Sequence, residues 1–169
     1  LIATGSAATI EAIGILSNGS TFLPSYAVPS TSSLDVVGGS VLFGGDFPSG
    51  SNMRGELFVR SGAIFDSRDT TGVDADGGRF RLRGGELKMT NYDSTPSGLL
   101  QNTATSSTLI EGFGTLSART SLLGVATLQS SGGTLTVTGA VGGGGTVRSL
   151  ASSTLLLNGG NGTFGSVTL

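Results

Sequence analysis

Leu34-Asp35-Val36-Val37-Gly38-Gly39-Ser40-Val41-Leu42-Phe43 decides the fold: an alternating apolar run, a small pair, and a second alternating run. The module returns as Leu57-Phe58-Val59-Arg60-Ser61-Gly62-Ala63-Ile64-Phe65 and as Phe80-Arg81-Leu82-Arg83-Gly84-Gly85-Glu86-Leu87-Lys88-Met89. The small pair recurs at Phe113-Gly114, Gly132-Gly133 and Ser152-Ser153. Gly39 to Gly62 and Gly62 to Gly85 are each 23 positions, Gly85 to Gly114 is 29, Gly114 to Gly133 is 19, and Gly133 to Ser153 is 20. A repeat of this length made of short strands marks a solenoid, because one unit cannot bury its apolar face alone.

Residues at fixed offsets from the small pair give the expected core. Two positions after it stand Val41, Ile64, Leu87, Leu116, Leu135 and Leu155, all aliphatic. Two further on are Phe43, Met89, Ala118, Val137 and Leu157, with Asp66 the exception. Five before the pair stand Leu34, Leu57, Phe80, Leu109 and Leu128, with Val147 one position out of register. Period-two alternation places such residues on one inward face, and the repeat stacks like on like. Glycine and β-branched residues at this density penalise a helix. A β-sandwich has similar strands but does not predict a near-constant chain interval. The expected fold is therefore all-β: a single-chain, right-handed parallel β-helix (β-solenoid) of about seven or eight coils of roughly 17–25 residues.

The chain reads as a single domain, 1–169, in four parts. Residues 1–33 hold a divergent first coil, with a short capping helix or irregular strand as the competing reading, and a loop with Pro24 and Pro29. Residues 34–90 are the regular coils. Residues 91–107, with Asp93, Pro96 and Gly98, read as a loop insertion, which a solenoid tolerates at a turn. Residues 108–169 form tighter, Gly-rich coils, in which Gly142–Gly145 reads as a turn built on positive φ angles. Leu1-Ile2 opens without Met or a signal peptide, and Val167-Thr168-Leu169 closes in alternation, as expected of a mature or cropped segment.

Composition narrows the chemistry. With 30 Gly and only 12% charged residues, the surface must rest on hydroxyls more than on ion pairs. A net charge of −2 argues against nucleic acid as a partner. The absence of Cys removes disulfides and thiolate chemistry, and the absence of His removes the commonest general base and metal ligand. No apolar run reaches the roughly 18 residues of a membrane span.

Gly132-Gly133-Thr134-Leu135-Thr136-Val137-Thr138-Gly139 and Ser153-Thr154-Leu155-Leu156-Leu157-Asn158-Gly159-Gly160 resemble the β-strand repeats of bacterial autotransporter passengers and filamentous-haemagglutinin-like surface proteins. The resemblance covers the C-terminal third well and the middle third loosely. It implies a secreted or cell-surface bacterial protein, often adhesive or fibre-like, and no translocator or anchor segment is recognised in the sequence.

Charge gathers between Arg54 and Lys88. Arg79, Arg81 and Arg83 alternate with Phe80 and Leu82, so they share one strand face, and Arg60 lies level with Arg83 one coil earlier. Such a row suits a groove for an acidic polysaccharide, an interface with a neighbouring subunit, or a solvated face paired with Glu56 and Glu86. Asp74 and Asp76, in Asp-x-Asp-Gly, offer a fragment of a calcium loop without its later ligands, and a turn is the competing reading. Asp66 with Asp69 or Asp74 is the best carboxylate pair for glycoside hydrolysis. Few aromatics and one modest loop argue against a cleft, so no catalytic residue and no cofactor beyond a calcium ion is assigned. Asn18-Gly19-Ser20 and Asn161-Gly162-Thr163 match glycosylation sequons.

The expected function is an extracellular structural protein that self-associates head to tail into a fibre, with Leu1, Ile2, Phe164, Val167 and Leu169 as apolar ends. The alternatives are a glycan-binding or polysaccharide-cleaving β-helix, or a piece of a long adhesin.

Overall fold

A computed structural model of the chain describes residues 9–16, 27–28, 33–45, 51–69, 73–89, 99–102, 105, 107–160, 162 and 164–168. Among these the strands are β1 (Thr9–Leu16), β2 (Ala27–Val28), β3 (Ser33–Gly45), β4 (Ser51–Met53), β5 (Glu56–Arg60) and β6 (Ile64–Asp69). They continue as β7 (Val73–Asp74), β8 (Arg79–Met89), β9 (Leu99–Gln101), β10 (Leu109–Ser117) and β11 (Arg119–Leu122). The last are β12 (Thr127–Val137), β13 (Val141–Gly143), β14 (Thr146–Ser149), β15 (Thr154–Leu157) and β16 (Ser166–Thr168). No helix occurs among the described residues.

The larger sheet runs β1-β3-β5-β8-β10-β12-β14-β16, with β6 pairing β3 and β8, and β15 pairing β12. The smaller runs β13-β11-β9-β7-β4-β2. The strand pairings are parallel, and the chain passes from one sheet to the other and back at each level. The result is a β-solenoid, with about five turns between β2 and β13. Gly14 of β1 pairs Gly39 of β3, 25 positions on, so the divergent segment before Leu34 contains a strand of the larger sheet. The polar stretch 91–107 is not all loop, since it contains β9, whose Leu100 is buried.

Between the sheets lies the core, in columns one residue per level. Leu34, Leu57, Phe80, Ile110, Leu128 and Val147 stack in register and are all buried. Two columns therefore differ from their expected membership. Ile110, not Leu109, holds this position, and Val147 is in register rather than displaced. In the other column Val41 pairs Phe65, Phe65 pairs Leu87, Leu87 pairs Leu116, and Leu116 pairs Val137, which pairs Leu157 through the β12–β15 ladder. Ile64 is half-buried and pairs Ser40 and Glu86 instead. Leu135 and Leu155 pair each other at the level of Gly114. Leu135 is fully buried, Leu155 packs partly buried on the core, and the side chain of Val41 lies outside the described residues.

Corner length causes these shifts. Ser61-Gly62-Ala63 bulge out of the sheet, closed by Ala63 N–H donating to Arg60 O at 3.0 Å, and they push Phe65 into the place expected of Ile64. Ser131-Gly132-Gly133 form a similar excursion that β10 lacks. There the Phe113 side chain packs over Gly133, whose added Cβ would lie 3.0 Å from Phe113 Cβ. Ser67 takes the position level with Met89, so the polar exception is a buried serine beside Asp66 rather than Asp66 itself. The glycines at 142–145 also act differently from the expected turn. Gly142 and Gly143 belong to β13, and of the four only Gly143 takes a positive φ.

Candidate functional site

The arginine row sits on the outward face of the larger sheet. Residues one position after each column leucine stack in register as Glu11, Asp35, Phe58, Arg81, Glu111, Gln129, Arg148 and Thr168. Parallel register brings the side chains from Asp35 to Thr168 about 4.8 Å apart from level to level, within reach of direct pairing. Most of the described polar groups in it pair up and down the stack.

Arg60 reaches back over Phe58 to Asp35, with Nε to Oδ1 at 2.9 Å and the Nη2 to Oδ2 contact at 2.7 Å. Arg81 joins two levels: Nη1 donates to Glu111 Oε1 at 2.6 Å, and Nη2 to Glu56 Oε1 at 3.3 Å. Arg79 lies 3.7 Å from the same Glu56 oxygen. Gln129 Nε2 donates to Glu111 Oε2 at 2.8 Å, and Arg148 Nε donates to Gln129 Oε1 at 2.7 Å. The Phe58 ring receives both guanidinium groups, Arg60 at 5.3 Å and Arg81 at 5.8 Å from its centroid. Such geometry is attractive because the ring face is electron-rich. Arg83 is half-buried and stands in register with Arg60 and Phe113.

The row is thus brought together as expected, but with carboxylates set among its arginines. Arg60 and Arg81 already face carboxylates, so an incoming uronate would compete with intramolecular partners. The sequence reading missed Asp35, Glu111, Gln129 and Arg148. A signal for them existed: each follows a column residue by one position, and aligning Ile110 instead of Leu109 exposes it.

The acidic candidates divide between the two sheets. Asp66 and Asp69 are in β6, on the larger, and Asp74 is in β7, on the smaller. Asp66 is buried, and the side chains of Asp69 and Asp74 lie outside the described residues. Asp76 is half-buried in a tight turn, where Gly78 N–H donates to Ala75 O at 2.8 Å and Gly77 takes a φ of 75°. Thr108 Oγ1 also donates to Ala75 O, at 2.6 Å, so backbone and hydroxyl bonds shape this turn. Among the described residues no three acidic side chains group as metal ligands would.

Of the expected apolar ends, Leu1, Ile2 and Leu169 lie outside the described residues. Phe164 packs partly buried against the core, and Val167 is 57% exposed in β16. The surface carries shallow concavities, one of about 510 Å³ beside Ser149, Leu150, Ser153 and Leu155, another of about 250 Å³ beside Arg119 and Gly142. Neither is lined by the arginine row.

Comparison with family models, with curated proteins and with solved structures gave no match to this chain.

Proposed function

We propose that this chain is an extracellular structural β-solenoid of a bacterial cell surface, assembling head to tail into a fibre with adhesive use. One observation carries the reading. The column Leu34, Leu57, Phe80, Ile110, Leu128, Val147 is 0–1% exposed at every level, and its next member, Val167, is 57% exposed. Leu155 and Leu157 repeat the pattern in the neighbouring columns, half-buried where Leu135 and Val137 are fully buried. An apolar column that runs on through β16 favours burial by a further coil, which a second copy or further coils of a longer chain would supply. Contact of unlike ends is heterologous and propagates as an open filament. Arg60, Arg79 and Arg81 already meet Asp35, Glu56 and Glu111, which fits a load-bearing side better than a charged binding groove. In this reading the coil is right-handed, as parallel crossovers nearly always are, and has seven or eight levels. The similarity to autotransporter and haemagglutinin-like repeats supports the location, and no catalysis is assigned.

The test is sedimentation and electron microscopy of the purified 16.7 kDa polypeptide beside its Val167→Lys variant. Filaments that the variant cannot form are expected. A wild-type chain that stays monomeric at high concentration, or filaments indifferent to Val167→Lys, overturns the reading.

A further inference from the structure

The corner after β15 carries a chemical liability that the packing itself imposes. Each level closes its larger-sheet face with a residue pair, Ala118-Arg119, then Gly139-Ala140, then Gly159-Gly160, stacked backbone on backbone. A Cβ on Gly159 would lie 2.1 Å from Gly139 O, just as one on Gly139 would lie 1.9 Å from Ala118 O. Only glycine fits at 159. The residue before it continues an outward polar column, in which Thr138 Oγ1 contacts Ser117 Oγ at 3.2 Å, and in the last level that residue is Asn158. The fold therefore places an exposed asparagine directly before an obligatory glycine.

We infer that Asn158 is a site of spontaneous deamidation in the folded protein. In this reaction the Gly159 amide nitrogen attacks Asn158 Cγ, a new N–C bond closes a five-membered succinimide, and ammonia leaves. Water then opens the ring at either carbonyl, giving aspartate or isoaspartate. No oxidant or cofactor is required. Three features of the structure permit the attack. Glycine has no side chain to hinder the ring or restrict the rotation it needs. The Asn158 N–H donates to Val137 O at 2.8 Å, so it is the stem that is anchored while the side chain faces solvent. Gly159 follows β15 in a bend, beyond the β12–β15 ladder, so its amide is not a rung of that ladder. Either product adds a carboxylate beside the corner, and isoaspartate also adds a methylene to the backbone.

Asn102 provides the internal contrast. It is 5% exposed, its Nδ2 donates to Leu123 O at 3.0 Å, and its Oδ1 accepts from Leu123 N–H at 2.9 Å. Both ends of that amide are held across a turn, and no glycine follows.

This inference is independent of fibre assembly and is tested on the full chain carrying Asn161→Gln, which removes the neighbouring Asn-Gly pair. The protein is aged at mildly alkaline pH, native and in urea, and mapped by mass spectrometry with fragmentation that separates aspartate from isoaspartate. Isoaspartate at 158 in the native sample, with Asn102 intact, is the expected result, and Asn158→Gln abolishes it. Native protein that stays unmodified at 158, whether or not the unfolded chain deamidates, overturns the inference.

Discussion

The coils from Arg54 to Met89 and those from Thr108 to Asn158 share one interior and differ outside. Inside, both stack leucine on leucine or a close equivalent in the same parallel register. Outside, the first group joins its levels through guanidinium and carboxylate groups, as in Arg60 to Asp35 and Arg81 to Glu56. The second adds hydroxyls to its Glu111–Gln129–Arg148 run: Ser130 with Ser149 at 2.8 Å and Thr138 with Ser117 at 3.2 Å. Corner width does not follow this division, since each region holds a bulged corner, Ser61-Gly62-Ala63 in the first and Ser131-Gly132-Gly133 in the second. The comparison teaches that the core sets the fold and the exterior only sets how neighbouring levels are clasped. Substitutions in the interior should then cost alike in both regions, and substitutions outside should cost little.

The largest expected effect tests that equivalence. Leu87→Asp in the charged coils and Leu135→Asp in the hydroxyl coils each bury an unpaired charge, costing several kcal/mol, about 3–5 in each case. Both should abolish the cooperative thermal transition seen by circular dichroism. A soluble Leu135→Asp variant with an unchanged melt would mean that the later coils do not share the core.

How far the sequence carries is visible in particular residues. Leu34, Leu57, Phe80 and Leu128 were legible as a column because their spacing to the small pair happens to be the same. Leu109 and Ile64 were misassigned because corners of different length use the same residue types, Gly and Ser, and an offset count slides when one residue is gained or lost. A strand shifted by one residue exchanges its faces, so the error moves a side chain from core to surface. The arginine row was legible from alternation alone. Its partners were not, since Asp35 and Glu111 lie 25 and 30 positions from the arginines they meet. Pairing at that separation exists only once the register is known.

Corner glycines give the next effect. Gly112, with a φ of 122°, would bring a Cβ to 1.9 Å from Leu82 O, whereas Gly38 has nothing within 4 Å. Gly112→Ala combines backbone strain with a clash against immovable main chain and should cost about 3 kcal/mol in denaturant melts. Gly38→Ala should fall within about 0.5 kcal/mol of wild type. Equal losses at both would remove close coil stacking as the reason for glycine.

Of the three arginines paired with acids, Arg81 is the most embedded, its side chain 23% exposed between Glu56 and Glu111. Arg81→Met keeps the apolar stem over Phe58 and deletes both charged hydrogen bonds. A loss of about 1–2 kcal/mol is expected, lower at high salt. Gln129→Ala, which breaks the link to Arg148 in the hydroxyl region, should cost about 1 kcal/mol and respond less to salt.

The smallest effect belongs to Arg60 and Asp35, and it separates clasping from packing. The contact is short and uses two nitrogens, which by geometry alone suggests a strong pair. Yet the Arg60 side chain is 46% exposed, and solvent screens such a charge while ordering the long side chain costs entropy. Asp35 is only 12% exposed in its side chain, so removing Arg60 leaves a carboxylate in a poorer setting than removing both leaves none. Arg60→Gln should therefore cost about 1 kcal/mol, and Asp35→Asn with Arg60→Gln together should cost less than the two singles added. The double-mutant cycle in chemical denaturation, repeated at low and high salt, measures the coupling as about 0.5 kcal/mol or less, fading with salt. A salt-insensitive coupling of several kcal/mol would show instead that the charged exterior contributes to the fold itself, and the division between interior and clasp would fail in the region where charge is densest.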